Sequence, residues 1–291
     1  MTELICVARA GADCGEGPVW CPNTGLLYWV DITGSRLHCY DPARQCDSAW
    51  DMPGEIGSVV RRQNGKLLVA LEQGLAFFDP ATAAIDMLFD PQLEDPETRL
   101  NDAKCDRLGR LWVGTYHLPI PRQQRGALYR VDPDLSCRKM DEGFRCSNGP
   151  DWSPDDRVMY VGDSIEQVIY AYDFDLPSGT MANRRVFASV DPSIGRPDGL
   201  TVDSEGYLWA GHADGGRLTR YAPDGRVDRV IEFPVRIVTN CAFGGDNLNR
   251  LYVTTARWSI SPEDLLTQPL AGNLFAFDPG VRGLPDTPFA G

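Results

Sequence analysis

Histidine is scarce in this chain of 291 residues, with only three, and basic side chains are outnumbered, 28 Lys and Arg against 41 Asp and Glu. The formal charge of −13 and the lack of any Lys/Arg cluster exclude a nucleic-acid partner, because neutralising phosphates takes grouped cations. No run of 18 apolar residues occurs, so no membrane-spanning helix is expected. The start of the chain, MTELICVARAGADCGEG, lacks the basic and long apolar regions of a secretory signal. The nine cysteines form no CxxC pair and are odd in number, which points to reduced thiols and a cytoplasmic location more than to a disulfide framework. A hydrophobic content of 43% is enough for a sizeable core.

What is present is a repeat. The runs LLYWVD, KLLVAL, RLWVGT, VMYVGD, YLWAGH and RLYVTT share an apolar anchor at Leu27, Leu67, Leu111, Met159, Leu208 and Leu251, spaced by 40 to 49 residues. A strand and a tight turn precede each run, as in VWCPNTG and TVDSEG, and a second strand ending in Asp-Pro or a relative follows, as in LHCYDP and LFAFDPG. VDRVIEFP supplies a fourth strand after the fifth run. Six units of four antiparallel strands describe an all-β, six-bladed β-propeller, expected to form a single domain over residues 1–291. The strand-like segment Leu4 to Arg9 precedes the first unit and is placed to complete the last blade, which removes an exposed edge.

Ten or eleven residues before each anchor stand Glu16, Ile56, Asn101, Asn148, Asp198 and Asn240. Five of the six are carboxylates or carboxamides at the entrance of the innermost strand, where they converge on the central channel. Asn and Asp beside Gly also serve as turn formers, but turn chemistry does not demand Glu16 between two glycines. Oxygen donors without Cys or His in this set suit a hard divalent cation better than a structural zinc.

The segments Gly15-Glu16-Gly17-Pro18-Val19-Trp20, Arg99-Leu100-Asn101-Asp102, Ser147-Asn148-Gly149-Pro150-Asp151-Trp152-Ser153, Pro197-Asp198-Gly199 and Asn240-Cys241-Ala242-Phe243-Gly244-Gly245 resemble the signatures of the gluconolactonase and regucalcin family, or senescence marker proteins. The resemblance runs from about Gly11 to Phe277. It implies a propeller holding one divalent metal ion (Ca, Mg, Mn, Fe(II) or Zn) and hydrolysing a small-molecule sugar lactone. It makes Glu16, Asn148 and Asp198 the metal ligands, sets Asn101 beside the metal, and gives Arg99 a substrate-binding role. Some members carry a substrate-binding Glu where this chain has Pro119, so Tyr116 and His117 become candidates for shaping the pocket.

Opening a cyclic ester builds negative charge on the carbonyl oxygen, which a metal offsets as a Lewis acid, and the attacking water needs a proton acceptor. Asp198 is the first choice for that base and Glu16 the second. His38 reads as a packed or surface residue, whereas His117 and His212 end second strands and can overhang the site. The Asp-Pro turns at Asp41, Asp79 and Asp132 belong to the opposite face. Ser164 and Ser259 lack the partner spacing of a triad. Arg99 has a bland alternative, an ion pair with Glu94, Asp95 or Glu97. Besides a sugar lactonase, a phosphotriesterase-like metal hydrolase and a non-catalytic calcium-binding propeller use much the same channel. A monomer is expected in each case.

Overall fold

The computed structural model describes residues 3–92, 97–117 and 124–291. Six four-stranded antiparallel sheets succeed one another along the chain, and in the first five the strands pair in sequence order. The innermost strands are Gly15–Cys21, Ile56–Arg61, Thr98–Cys105, Ser147–Trp152, Arg196–Val202 and Ile237–Gly244. Each lies against the next, and the sixth returns to the first, so the sheets close into a propeller around a channel.

The sixth blade joins both ends of the repeat region. Ile237–Gly244, Arg250–Ala256 and Leu274–Phe277 are followed at the outer edge by the N-terminal strand Ile5–Ala8, with Ile5 opposite Ala276 and Cys6 opposite Phe275. The closure expected for Leu4 to Arg9 is therefore present. Because blade faces bury against one another, second strands are apolar on both sides and carry fully buried Trp29, Trp112 and Trp209. Their indole N–H groups are satisfied by Asp47, Asp106 and Asp203 at 3.0, 2.9 and 2.9 Å.

Two features position the channel groups. All six innermost strands break register at the same place, between Glu16 and Val19, Ile56 and Ser58, Leu100 and Ala103, Asn148 and Asp151, Pro197 and Leu200, and Val238 and Cys241. A bulge there leaves residues unpaired and turns their side chains toward the axis. The second feature is the C-terminal tail, which straps the opposite end of the channel. Gly283 donates to the Leu248 carbonyl at 2.8 Å, Arg107 to the Pro285 carbonyl at 3.2 Å, and Ala290 to the Gly109 carbonyl at 3.0 Å. Asp286 pairs with Lys104 at 3.1 Å, and Phe289 is fully buried against Val60, Leu111 and Val131.

Candidate functional site

A cavity of about 290 Å³ opens where the innermost strands begin, and its wall includes Glu16, Arg99, Asn101, Tyr116, Asn148 and Asp198. The blades thus bring together residues as distant in sequence as Glu16 and Asp198, 182 positions apart. Glu16 is 5% exposed and its Oε2 accepts from the Gly17 N–H at 2.8 Å and from Asn240 Nδ2 at 2.7 Å. The Asp198 carboxylate has no protein donor among the described residues. Asn148 Nδ2 donates to Ser164 Oγ at 2.6 Å, and Ser164 Oγ in turn donates to the Pro197 carbonyl at 2.6 Å. That chain fixes the Asn148 carboxamide, whose Oδ1 accepts from Asn101 Nδ2 at 3.1 Å.

Arg99 is tied to the wall. Its Nη1 donates to the Leu100 carbonyl at 3.0 Å and to Asn101 Oδ1 at 2.9 Å, its Nε stands 3.0 Å from Glu55, and its guanidinium stacks 4.9 Å from the Tyr116 ring centroid. The partner of Arg99 is Glu55 rather than Glu97, while Glu94 and Asp95 lie outside the described residues, as does Pro119. Tyr116 lines the cavity, and burial pushes its phenol up to about 12.

His117 and His212 do not line the cavity. His117 is buried, with Nε2 3.6 Å from Glu97. His212 bonds the Ile194 carbonyl through Nδ1 at 3.1 Å, and burial lowers its pKa to about 4. His38 is packed on Trp29 and bonded to Asp47 at 2.7 Å.

Asn240 also differs from the expected ring. It lies in a second, smaller cavity farther along the channel, with Asp102, Lys104 and Asp286. Its Nδ2 bridges Glu16 to Asp102, whose oxygens are 3.1 and 3.2 Å away. The bulge between Leu100 and Ala103 leaves both Asn101 and Asp102 unpaired, so one strand serves both levels. At the second blade, Ile56 packs into an apolar cluster and the preceding Glu55 faces the cavity instead.

Burial, reinforced by Asp102 and Asp198, raises Glu16 well above the usual carboxylate range. Burial and then Asp102 raise Asp198 in the same way, and burial pushes Asp102 up to about 6 against the Gly149 N–H and the Lys104 charge. Three acids that resist ionisation together mark a place where positive charge is short. Among the described residues no three His, Cys, Asp or Glu side chains cluster as ligands. Glu16, Asp198 and Asn148 together offer the cavity two carboxylates and a carboxamide, a set that fits a hard divalent cation. Cys14 and Cys146 line the same wall, two residues before Glu16 and Asn148, but burial raises both thiols and keeps them protonated.

Residues 14–257 match the SMP-30/Gluconolactonase/LRE-like region family. The chain belongs to this family. It is 38% identical over 290 residues to the 6-deoxy-6-sulfogluconolactonase of Pseudomonas putida and 34% identical over 292 residues to the regucalcin of Danio rerio, each alignment covering 99% of both chains. Among solved structures, regucalcin from Agrobacterium tumefaciens, described as a calcium-binding protein, superimposes with a TM-score of 0.92 at 25% identity, over 98% of this chain and 96% of the other.

For a member of this family, sequence reasoning missed Glu55, Asp102, Cys14, Cys146, Ser164 and Arg196 as channel or cavity residues. A period-2 count offers a signal for three of them: Cys14, Cys146 and Arg196 stand two residues before Glu16, Asn148 and Asp198 and share their side of the strand. Asp102 gives no such signal, since only the bulge turns it inward.

Proposed function

We propose that this family member hydrolyses an aldonolactone to the open aldonic acid with one divalent cation held by Glu16, Asn148 and Asp198. The observation that carries the reading is the convergence of these three side chains with Arg99 and Asn101 on one cavity wall, in a chain that matches a sulfogluconolactonase over its length. A bound cation supplies Lewis-acid polarisation of the ester carbonyl. Asn148 donates its amide nitrogen to Ser164, and its oxygen, which accepts once from Asn101, keeps a second lone pair.

Arg99 and Asn101 orient the lactone by its hydroxyls, with Tyr116 forming the floor under the guanidinium. Asp198, which has no protein donor among the described residues, takes a proton from the attacking water as the water oxygen bonds to the carbonyl carbon. The ring C–O bond then breaks, and the departing ring oxygen receives that proton from Asp198 and becomes a hydroxyl. One water is consumed, and the product is the acid. Glu16 shares one oxygen with Asn240 and the Gly17 N–H, which makes it the less available base.

The identity of the regucalcin relatives supports a second reading, calcium binding without turnover. A panel of aldonolactones assayed in a pH-stat with metal-stripped and metal-restored protein separates the two. Turnover restored by a divalent cation is expected, and cation binding with no turnover on any lactone would favour the second reading. Asp198→Ala should lower turnover by about a hundredfold to ten-thousandfold and lower cation content while the circular dichroism is retained. Near-normal rates in that variant would remove the site.

A further inference from the structure

A second arginine stands on the cavity wall, and it differs from Arg99 in what it has left to give. Arg196 opens the innermost strand of the fifth blade and is about one-third exposed. Its only protein hydrogen bond among the described residues runs from Nη2 to Asp214 Oδ2 at 2.7 Å. Arg236 is ion-paired to the other oxygen of Asp214, with its Nε 3.1 Å away. Two guanidinium groups therefore share the Asp214 carboxylate, which matches the Arg196 charge only in part. On the Arg99 side the charge is matched by Glu55, and the donors are engaged by Leu100 and Asn101.

Position adds a direction. Arg196 and Asp198 are two residues apart on one strand, about 6.6 Å along it, and both line the cavity. A guanidinium with Nε and Nη1 unclaimed presents a planar edge that matches a carboxylate.

We infer that Arg196 is a specificity residue that binds a carboxylate carried by the sugar lactone on the carbon remote from the ester, so that the preferred substrate is an acid lactone. The inference rests on the lactonase reading and deepens it. The remote position keeps the substrate anion away from Glu16 and Asp198, and its interaction with Arg196 is alike in ground and transition states, so it acts through KM.

The test uses the metal-restored protein with galactono-1,4-lactone as the neutral probe and glucaro-1,4-lactone as the probe with a carboxylate at C6. Wild-type protein should favour the acid lactone in kcat/KM. Arg196→Gln should lower kcat/KM for the acid lactone about tenfold to a hundredfold more than for the neutral one, mainly through KM, as loss of a charge-assisted hydrogen bond predicts. Arg196→Lys should recover part of the preference, and Asp214→Asn, which releases Arg196, should increase it. Equal use of both lactones by the wild type, or equal effects of Arg196→Gln on both, overturns the inference and leaves the lactonase reading standing. If neither lactone turns over, the lactonase reading is decided by the wider aldonolactone panel. Calorimetric titration with glucaro-1,4-lactone then decides Arg196 separately: binding at least about tenfold tighter in the wild type than in Arg196→Gln sustains it, and equal or absent binding overturns it.

Discussion

At the scale of single residues, Arg99 shows how a side chain read as a gripper is first a scaffold. Its hydrogen bonds to the Leu100 carbonyl and Asn101 Oδ1 fix the Asn101 carboxamide, whose nitrogen then donates to Asn148 and the Ser147 carbonyl. Arg99→Ala should therefore raise KM by about tenfold, near 1.4 kcal/mol, lower kcat less, and leave cation content unchanged. Steady-state kinetics with metal analysis on the same preparation checks this, and an unchanged KM would remove Arg99 from the substrate site. The place of Arg99 at the cavity was legible in Arg99-Leu100-Asn101-Asp102, but its partner was not. Glu55 lies 44 positions upstream in another blade, and no spacing rule links the two.

At the scale of one element, the innermost strand owes its function to its irregularity. An unbroken ladder would keep alternate side chains on fixed faces, whereas the bulge after Pro197 turns Asp198 toward the axis and brings the Gly199 backbone against the next blade. A Cβ on Gly199 would fall 1.9 Å from the Asn240 side chain. Gly199→Ala should displace Asn240 from Glu16 and Asp102 and cost about 1 to 3 kcal/mol through overpacking. Chemical denaturation measures the loss, and a variant as stable as the wild type would show that the channel relaxes without cost. Asn240 was legible as a ring member by count, yet it bonds Glu16 from the level below the cavity because its own strand breaks register between Val238 and Cys241.

At the scale of the whole molecule, two chain ends hold the ring. The N-terminal strand completes the sixth blade, and the C-terminal strap crosses to the second and third blades, where Phe289 donates its N–H to the Arg61 carbonyl at 2.7 Å and buries its ring completely. Arg61 donates to the Asp286 carbonyl and Lys104 bridges Asp286 to Asp151, so the strap couples three blades at the end away from the cavity. Phe289→Ala should destabilise the protein by about 3 to 5 kcal/mol through the cavity it leaves. The KM for the best lactone should stay unchanged, because the ring lies on the far side of the channel groups. Denaturant unfolding and kinetics on folded protein test both halves; a KM change would mean that the strap shapes the cavity.

The closing N-terminal strand followed from counting, since a last unit lacking its fourth strand and an unassigned first strand solve one edge. The strap did not, because residues 281–291 carry no repeat and only their contacts reveal a path. Sequence alone determined the six-fold repeat, the four strands in each unit and the polar positions that open the innermost strands, because these depend on periods within one blade. Tertiary structure alone decided which polar groups share the cavity. It lowered Asn240 to a second level, turned Asp102 inward and brought Glu55 and Arg196 to the mouth. Side-chain direction at a bulge and contact between distant blades depend on register and ring closure, and spacing along the chain encodes neither.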